Sequence, residues 1–355
     1  MQSHEYGRHW PVRLSSTAVV LAALFATTYL SAGSAAVAKA ASSTVVISYF
    51  SHAEPTQETV IGTTTALQQL IPAQIQWVPI DSAPPTVAAM RAGSIDMVTE
   101  VGNPPVTAAI ANGTPLTVIW EGFNDSSIKL VVNKSIKSSK DLVGKTIGDL
   151  IGSSEDYEFQ GWLQHEGLLG KVNVVGFTGE QTPVSAFLTG KIDGAYIEPP
   201  QDADMIKAGG HVLTTSEKIA KLGYYGINVT IVRPEYARSH RKVVQGYLCA
   251  VLKASTLMEG PRRDTYFARA TAMTGQSPAQ AILSAHETIY TTPRNAMSYL
   301  VGPHGTASSI VAKTYAKTSD FLVHLGRIPK GVTAQQVGKL IDASYLRNAL
   351  KGKCR

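Results

Sequence analysis

Side chains that could hold an ion gather in three short stretches of this 355-residue chain. In each, Ser, Asn or Gly precedes a segment of helical pattern: residues 51–56, 102–107 and 152–157. The start of a helix offers free backbone N–H groups and a partial positive charge, so such places suit an anionic group. Ser51, Asn103, Ser153 and Ser154 could add hydrogen bonds there, although the same residue types also cap helices everywhere. Asn103 is followed at once by Pro104, which stiffens its turn. Tyr49, His52 and Tyr157 stand at or beside these stretches and join the candidate set. The opposite chemistry lies close by. Glu54, Glu100, Glu121 and Glu198 fall near the ends of apolar runs, where a carboxylate would meet a positively charged group.

Other chemistries lack their residues. A single histidine in the first loop, His52, cannot make a metal site, and His165-Glu166 lacks the second histidine of a zinc-binding helix. No Gly-x-Ser-x-Gly, P-loop or dinucleotide fingerprint is present. Hydrophobic residues make up 44% of the chain and charged ones 16%, enough to fill a core. The formal charge of +6 comes from scattered Lys and Arg, not from a basic face of the kind phosphate binding needs. No cofactor is expected.

Residues 1–41 read as a secretory signal. Arg8 and Arg13 precede an apolar run from Ala18 to about Leu30, and Ala38-Lys39-Ala40 supplies small residues at alternate positions. The run is short for a membrane span. Three basic residues and one acidic residue leave with this segment, so the formal charge falls by two, from +6 to +4. Export places Cys249 and Cys354 in an oxidising compartment, where they could pair; a buried thiol and a frayed end is the alternative. Cys249 lies in an amphipathic pattern, which favours a core position over a reactive one.

The elements that must position the candidate residues repeat. Gly93-Ser94-Ile95-Asp96 is echoed by Gly190-Lys191-Ile192-Asp193. Each copy is followed by a glutamate (Glu100, Glu198) and by a Pro-Pro pair (104–105, 199–200). Val45–Tyr49 and Lys145–Asp149 read as equivalent strands, as do Ile75–Pro79 and Val172–Gly176, with helical periodicity between them. Strands alternating with helices predict a parallel sheet covered on both faces. Gly93 and Gly190 read as helix ends and Asp96 and Asp193 as folding punctuation rather than ligands. Two such units predict two lobes. One spans residues 42–127 plus a helical C-terminal part, 234–345. The other spans 128–233, and 346–355 is left as a tail. The chain would cross between lobes near 124–129 and 228–233, giving a hinge and a cleft for a small molecule.

At this point the sequence resembles a known group. Ser48-Tyr49 through Ala53-Glu54-Pro55 is similar to the opening of taurine-binding periplasmic proteins. Gly190-Lys191-Ile192-Asp193-Gly194-Ala195-Tyr196, Thr288-Ile289-Tyr290-Thr291-Thr292-Pro293, Leu300-Val301-Gly302-Pro303, and Asp320-Phe321-Leu322 through Gly326-Arg327-Ile328-Pro329 resemble further motifs of the group. The resemblance covers nearly the whole chain after the signal. It implies a two-lobed type II periplasmic-binding-protein fold with two hinge crossings, and a ligand held between the lobes. It also implies delivery to the permease and ATPase subunits of an ABC importer by a monomeric periplasmic protein. Glu54 would face the ammonium of a taurine-like ligand.

The departures from the group concern the ligand. Glu198 replaces a Trp, Gly102-Asn103-Pro104 replaces a Gly-Ser-Ser-Pro turn, and Asn228 stands where the relatives carry an acidic residue. The added carboxylates favour a ligand with positive charge, so beside a taurine-like aminosulfonate an amino acid-like zwitterion or a cationic nitrogen compound stays open. A further alternative is an enzyme on the same fold, a pyrimidine-precursor synthase or a desulfinase, but those rely on cysteine or histidine–iron chemistry.

Overall fold

The structure, a computed structural model, describes residues 43–51, 53–124, 127–177 and 181–354. The expected signal segment and His52 lie outside the described residues. The first unit runs β1 (Thr44–Phe50), α1 (Gln57–Gly62), α2 (Thr65–Gln68), β2 (Gln74–Ile80), α3 (Ala83–Arg91), β3 (Met97–Gly102), α4 (Asn103–Ala111) and β4 (Thr117–Asn124). The second runs β5 (Lys129–Val132), β6 (Thr146–Asp149), α5 (Ser154–His165), β7 (Asn173–Gly176), α6 (Gln181–Leu188), β8 (Gly194–Ile197), α7 (Gln201–Lys207), β9 (His211–Thr215) and α8 (Ser216–Lys221). There follow β10 (Ile227–Val232), α9 (Pro234–Ser239), α10 (Arg241–Glu259), α11 (Arg263–Thr274), α12 (Pro278–Glu287), β11 (Ile289–Tyr290), α13 (Ala296–Leu300), α14 (Ile310–His324), α15 (Ala334–Gly338) and α16 (Ser344–Leu350).

Two mixed sheets result, in the orders β11-β4-β10-β3-β1-β2 and β7-β6-β8-β5-β9. Here they are called the first and second halves. β1 is parallel to β2 and β3, and β6 is parallel to β7 and β8. β10 runs antiparallel between β3 and β4, while β5 is antiparallel to both of its neighbours. The internal repeat is visible in the chemistry of its aspartates. The Asp96 carboxylate accepts from Val46 N–H (2.9 Å) on β1, and Asp193 accepts from Thr146 N–H (3.0 Å) on β6. Each carboxylate thus satisfies a backbone donor on a neighbouring strand, with Arg233 and Lys145 as their respective ion partners. Gly93 (φ 88°) and Gly190 (φ 70°) end the preceding turns in the left-handed region. These residues are structural, as their spacing implies.

Three expectations need correction. Residues 227–232 do not belong with the second unit. They form β10 in the first sheet, buried on both faces, so the chain has already returned before Asn228. An unbroken apolar run satisfies any central sheet position and does not name its sheet. The C-terminal helices do have a strand, because β11 adds to β4. Residues 346–350 are not a tail but most of α16, which buries Tyr345, Leu346 and Ala349 against the core.

The first core gathers β1, β3, β4 and β10 with α10, α14 and α16. Cys249 on α10 is bridged to Cys354, which pins the chain's end to that helix. The second sheet has a separate cluster on each face, one around Phe159, Trp162 and Tyr196 and one around Val184, Ile197 and Met205. No helix among the described residues is long and apolar enough to cross a membrane.

Candidate functional site

The carboxyl ends of β1, β3 and β4 and the start of α1 bring four glutamates together in the first half. Glu54, Glu58, Glu100 and Glu121 are 3%, 2%, 8% and 1% exposed. Carboxylates at such burial need partners or protons. Glu100 accepts from Phe50 N–H (3.1 Å) and from the Thr56 hydroxyl (2.5 Å). Its backbone sits at φ 60°, the sole positive φ of a non-glycine residue among those described. Glu58 accepts from the Tyr247 hydroxyl, which lies 3.0 Å from Thr230 Oγ1. Glu121 accepts from Thr291, and Tyr290 OH donates to Pro55 O (2.5 Å). Burial lifts the Glu58 carboxyl above the ordinary range. Burial, and then the charge of Glu58, lifts Glu100 well above it. The two acids cannot both ionise cheaply side by side. Tyr290 is pushed up by burial and by Glu54. Its ring also walls a cavity of about 270 Å³ between α10, α11 and α12.

The second half answers with its own acids, at the end of β6 and the first turn of α5. Asp149, Glu155 and Asp156 are 0%, 7% and 0% exposed. Asp156 accepts from Gly152 N–H (2.8 Å) and from both terminal nitrogens of Arg327, the second at 3.4 Å. Arg327 follows α14 and so reaches across from the first half. Asp149 lies against the Leu150 backbone and the Asp156 side chain, with no cation beside it among the described residues. Burial, then the charges of Asp156 and Glu155, raise its carboxyl well above the ordinary range.

The halves meet where these groups lie. A Cβ added to Gly102 would come within 2.8 Å of Ser154 Oγ and 3.2 Å of Ser154 N, so only glycine fits this approach of α4 to α5. Phe321 of α14 packs edge-on against Tyr157 and Tyr224. Lys317 Nζ donates to Gly223 O (2.5 Å) and lies 4.9 Å from the Tyr224 ring centre. At another point Lys129 bridges Asp202 and Glu287, at 2.7 Å each.

The expected residues distribute unevenly over this frame. Glu54 and Glu121 belong to the acidic cluster of the first half. Ser154 stands at the junction, and Tyr157 is buried beside it. Tyr49 sits at the cluster's edge, where burial and then the charge of Glu100 raise its hydroxyl. Its ring meets Trp77 edge-on, 6.3 Å away. Asn228 lies on β10 opposite Gly102, and Glu198 is half-buried just beyond β8. Three of the expected anion donors are occupied within the protein. Ser51 donates to Asp81 (2.6 Å). Ser153 caps α5, accepting from Asp156 N–H and donating to Leu150 O (2.6 Å). Asn103 donates to Thr318 Oγ1 (2.6 Å) and accepts from Ile227 N–H (3.4 Å). Sequence reasoning missed Glu58, Tyr247, Asp149 and Asp156. Two carboxylates four residues apart across a helix start (Glu54, Glu58) were the one local signal for the first pair. For Asp149, the signal was an acid ending an otherwise apolar strand.

Residues 84–262 match the family described as NMT1/THI5 like, half of the chain's length. The chain belongs to the NMT1/THI5-like family. Within reach of this NMT1/THI5-like protein stands the taurine-binding periplasmic protein of Escherichia coli K12. It is 27% identical over 297 residues, covering 80% of this chain and 88% of the relative. Among solved structures, the alkanesulfonate-binding protein SsuA of Xanthomonas axonopodis bound to MOPS superimposes with a TM-score of 0.68. It is 20% identical and covers 84% of this chain and 98% of its own. The nitrate-binding protein NrtA of Synechocystis gives 0.69 at 12% identity, covering 88% and 89%. These neighbours establish the two-sheet periplasmic-binding fold for the NMT1/THI5-like chain.

Proposed function

We propose that this protein is the solute-capturing component of an ABC importer. In this reading residues 1–41 direct export to the periplasm, where the protein works as a monomer. The two halves close over one small ligand, and the closed form hands it to a membrane permease driven by its ATPase. Ligand contacts made with both halves at once are what favour closure. The ligand carries a positively charged nitrogen, as a zwitterion of taurine type or as a cationic nitrogen compound.

One observation supports the choice of ligand: each half buries a group of carboxylates at the ends of its strands, Glu54, Glu58 and Glu100 in the first and Asp149, Glu155 and Asp156 in the second, and Arg327 is committed to Asp156. A ligand cation would supply the missing charge. A purely anionic analogue would bring like charge to these acids, which is a basis for discrimination. The occupied hydroxyl and amide of Ser51, Ser153 and Asn103 weaken the case for a sulfonate held by those side chains. Binding rather than catalysis is favoured by the cysteines, since Cys249 and Cys354 are joined and leave no thiol for desulfinase-type chemistry. The test is isothermal titration of residues 42–355, unfolded and refolded to strip any carried solute, against taurine and simple ammonium compounds. One-to-one binding of nitrogen cations or zwitterions is expected. Binding of ethanesulfonate alone would sink the reading.

A further inference from the structure

Glu100 stands where the first sheet breaks its own pattern. β3 pairs with β1 at Met97 and Ile47, and beyond that point side chains take over the ladder. Thr99 N–H donates to Ser48 Oγ (3.3 Å) and the Thr99 hydroxyl to Ser48 O (2.6 Å). On the other side, Val98 and Val101 pair with Ile231 and Val229 of β10, so two β3 residues, Thr99 and Glu100, oppose the single Thr230. This is a β-bulge, a device that re-aims a side chain. At Glu100 the backbone takes φ 60°, a conformation that favours glycine. The bulge carries the carboxyl to the turn between β1 and α1. Oε2 accepts from the N–H of Phe50 (3.1 Å), the last residue of β1, and Oε1 from the hydroxyl of Thr56 (2.5 Å), just before α1. Between these two points the turn carries Glu54, and the Tyr290 hydroxyl of β11 donates to Pro55 O (2.5 Å). A strained residue persists only where its surroundings over-determine it, and such residues gather at binding and catalytic sites.

We propose that Glu100 is a positioning residue: it holds both ends of the β1–α1 turn, and through the turn it sets Glu54 for the ligand. This rests on the capture reading above, with Glu54 at the ligand, and not on the ligand's charge. Glu100 acts without touching the ligand, because both of its oxygens already accept bonds within the first half. The gain is pre-organisation. A turn already fixed in its bound shape loses less freedom when the ligand docks, so the same contacts give tighter binding. The left-handed backbone at Glu100 is what lets one carboxyl reach two separate ends of the turn.

The experiment compares wild type with Glu100→Gly and Glu100→Gln. Glycine accepts the left-handed backbone but has no carboxyl, whereas glutamine keeps the length and one oxygen acceptor without the charge. Isothermal titration with taurine, 1,4-diaminobutane, tetramethylammonium and ethanesulfonate gives affinity, at a temperature where circular dichroism shows each variant folded. Urea denaturation gives stability. Glu100→Gly is expected to bind the probe that wild type binds about tenfold more weakly. Glu100→Gln is expected to recover about threefold of that loss, since one arm of the clamp remains. A merely structural Glu100 would lower the urea midpoint and leave the affinity of the folded protein unchanged, and that result overturns the proposal. If Glu100→Gln binds as weakly as Glu100→Gly, charge and not position acts, and the assignment falls while the capture reading stands. If none of the four probes binds wild type, both fall. Should Glu100→Gly fail to fold, Thr56→Val decides, because it removes the other arm of the clamp and keeps the shape. Binding about threefold weaker is then expected, and unchanged affinity overturns the proposal.

Discussion

Replacing Arg327 by Met should destabilise the protein through Asp156, not through the lost arginine itself. The Arg327 side chain is 31% exposed and returns to water easily, whereas the Asp156 side chain is 0% exposed. Without the guanidinium, Asp156 keeps the Gly152 N–H at 2.8 Å and its neighbour Asp149, and no cation. Breaking a fully buried ion pair by removing one partner costs about 3–5 kcal/mol. Partial exposure of the arginine screens part of the attraction, which brings the expected cost to about 2–3 kcal/mol. Removing both charges, as Asp156→Asn with Arg327→Met, deletes the stranded carboxylate and should recover more than half of that. Urea denaturation at pH 7 of the wild type, both single variants and the double variant closes a cycle, with an expected coupling of about 2 kcal/mol. A coupling under about 0.5 kcal/mol would show that the contact across the halves contributes nothing and would refute the reasoning.

Gly102→Ala should cost about 1–3 kcal/mol by overpacking against Ser154, and Ser154→Gly should relieve most of it; chemical denaturation of the pair checks this. Replacing Cys249 and Cys354 by Ala opens a loop with a sequence separation of 105 and should lower unfolding stability by about 3–5 kcal/mol, read as a fall in urea midpoint. The Glu58 and Glu100 carboxyls are raised in the folded protein. The unfolded chain therefore releases their protons first, and wild-type stability falls as pH rises above about 4.3, until the folded carboxyls themselves ionise. Glu58→Gln should flatten that fall, removing up to about 1.4 kcal/mol per pH unit per proton, as followed by denaturation between pH 4 and 8.

What the sequence made legible was local and repeated. Asp96 and Asp193 stand at matching places in two units, and the structure gives both the same backbone bond. The motif 288–293 also falls where it matters, since Tyr290 and Thr291 bond to Pro55 and Glu121. The unread features depend on partners far away in the chain. Asn103 looks like a ligand donor because a Gly-Asn-Pro turn does not reveal Thr318 or Ile227. Asp156 looks like a helix-start acid until Arg327, 171 residues later, arrives beside it. β10 reads as the close of the second unit because it follows that unit directly, yet its six buried residues fill a gap between β3 and β4. Local chemistry marked the candidate residues, while long-range pairing decided which of them already bond within the protein.

If the buried acids of the two halves select the ligand, that ligand carries a positively charged nitrogen. The most direct measurement is a titration of the stripped protein, residues 42–355, with taurine, 1,4-diaminobutane, tetramethylammonium and ethanesulfonate in parallel. One-to-one heat is expected from at least one of the three nitrogen compounds and none from ethanesulfonate. Heat from ethanesulfonate at equal or greater affinity, with the nitrogen compounds silent, would contradict that selection.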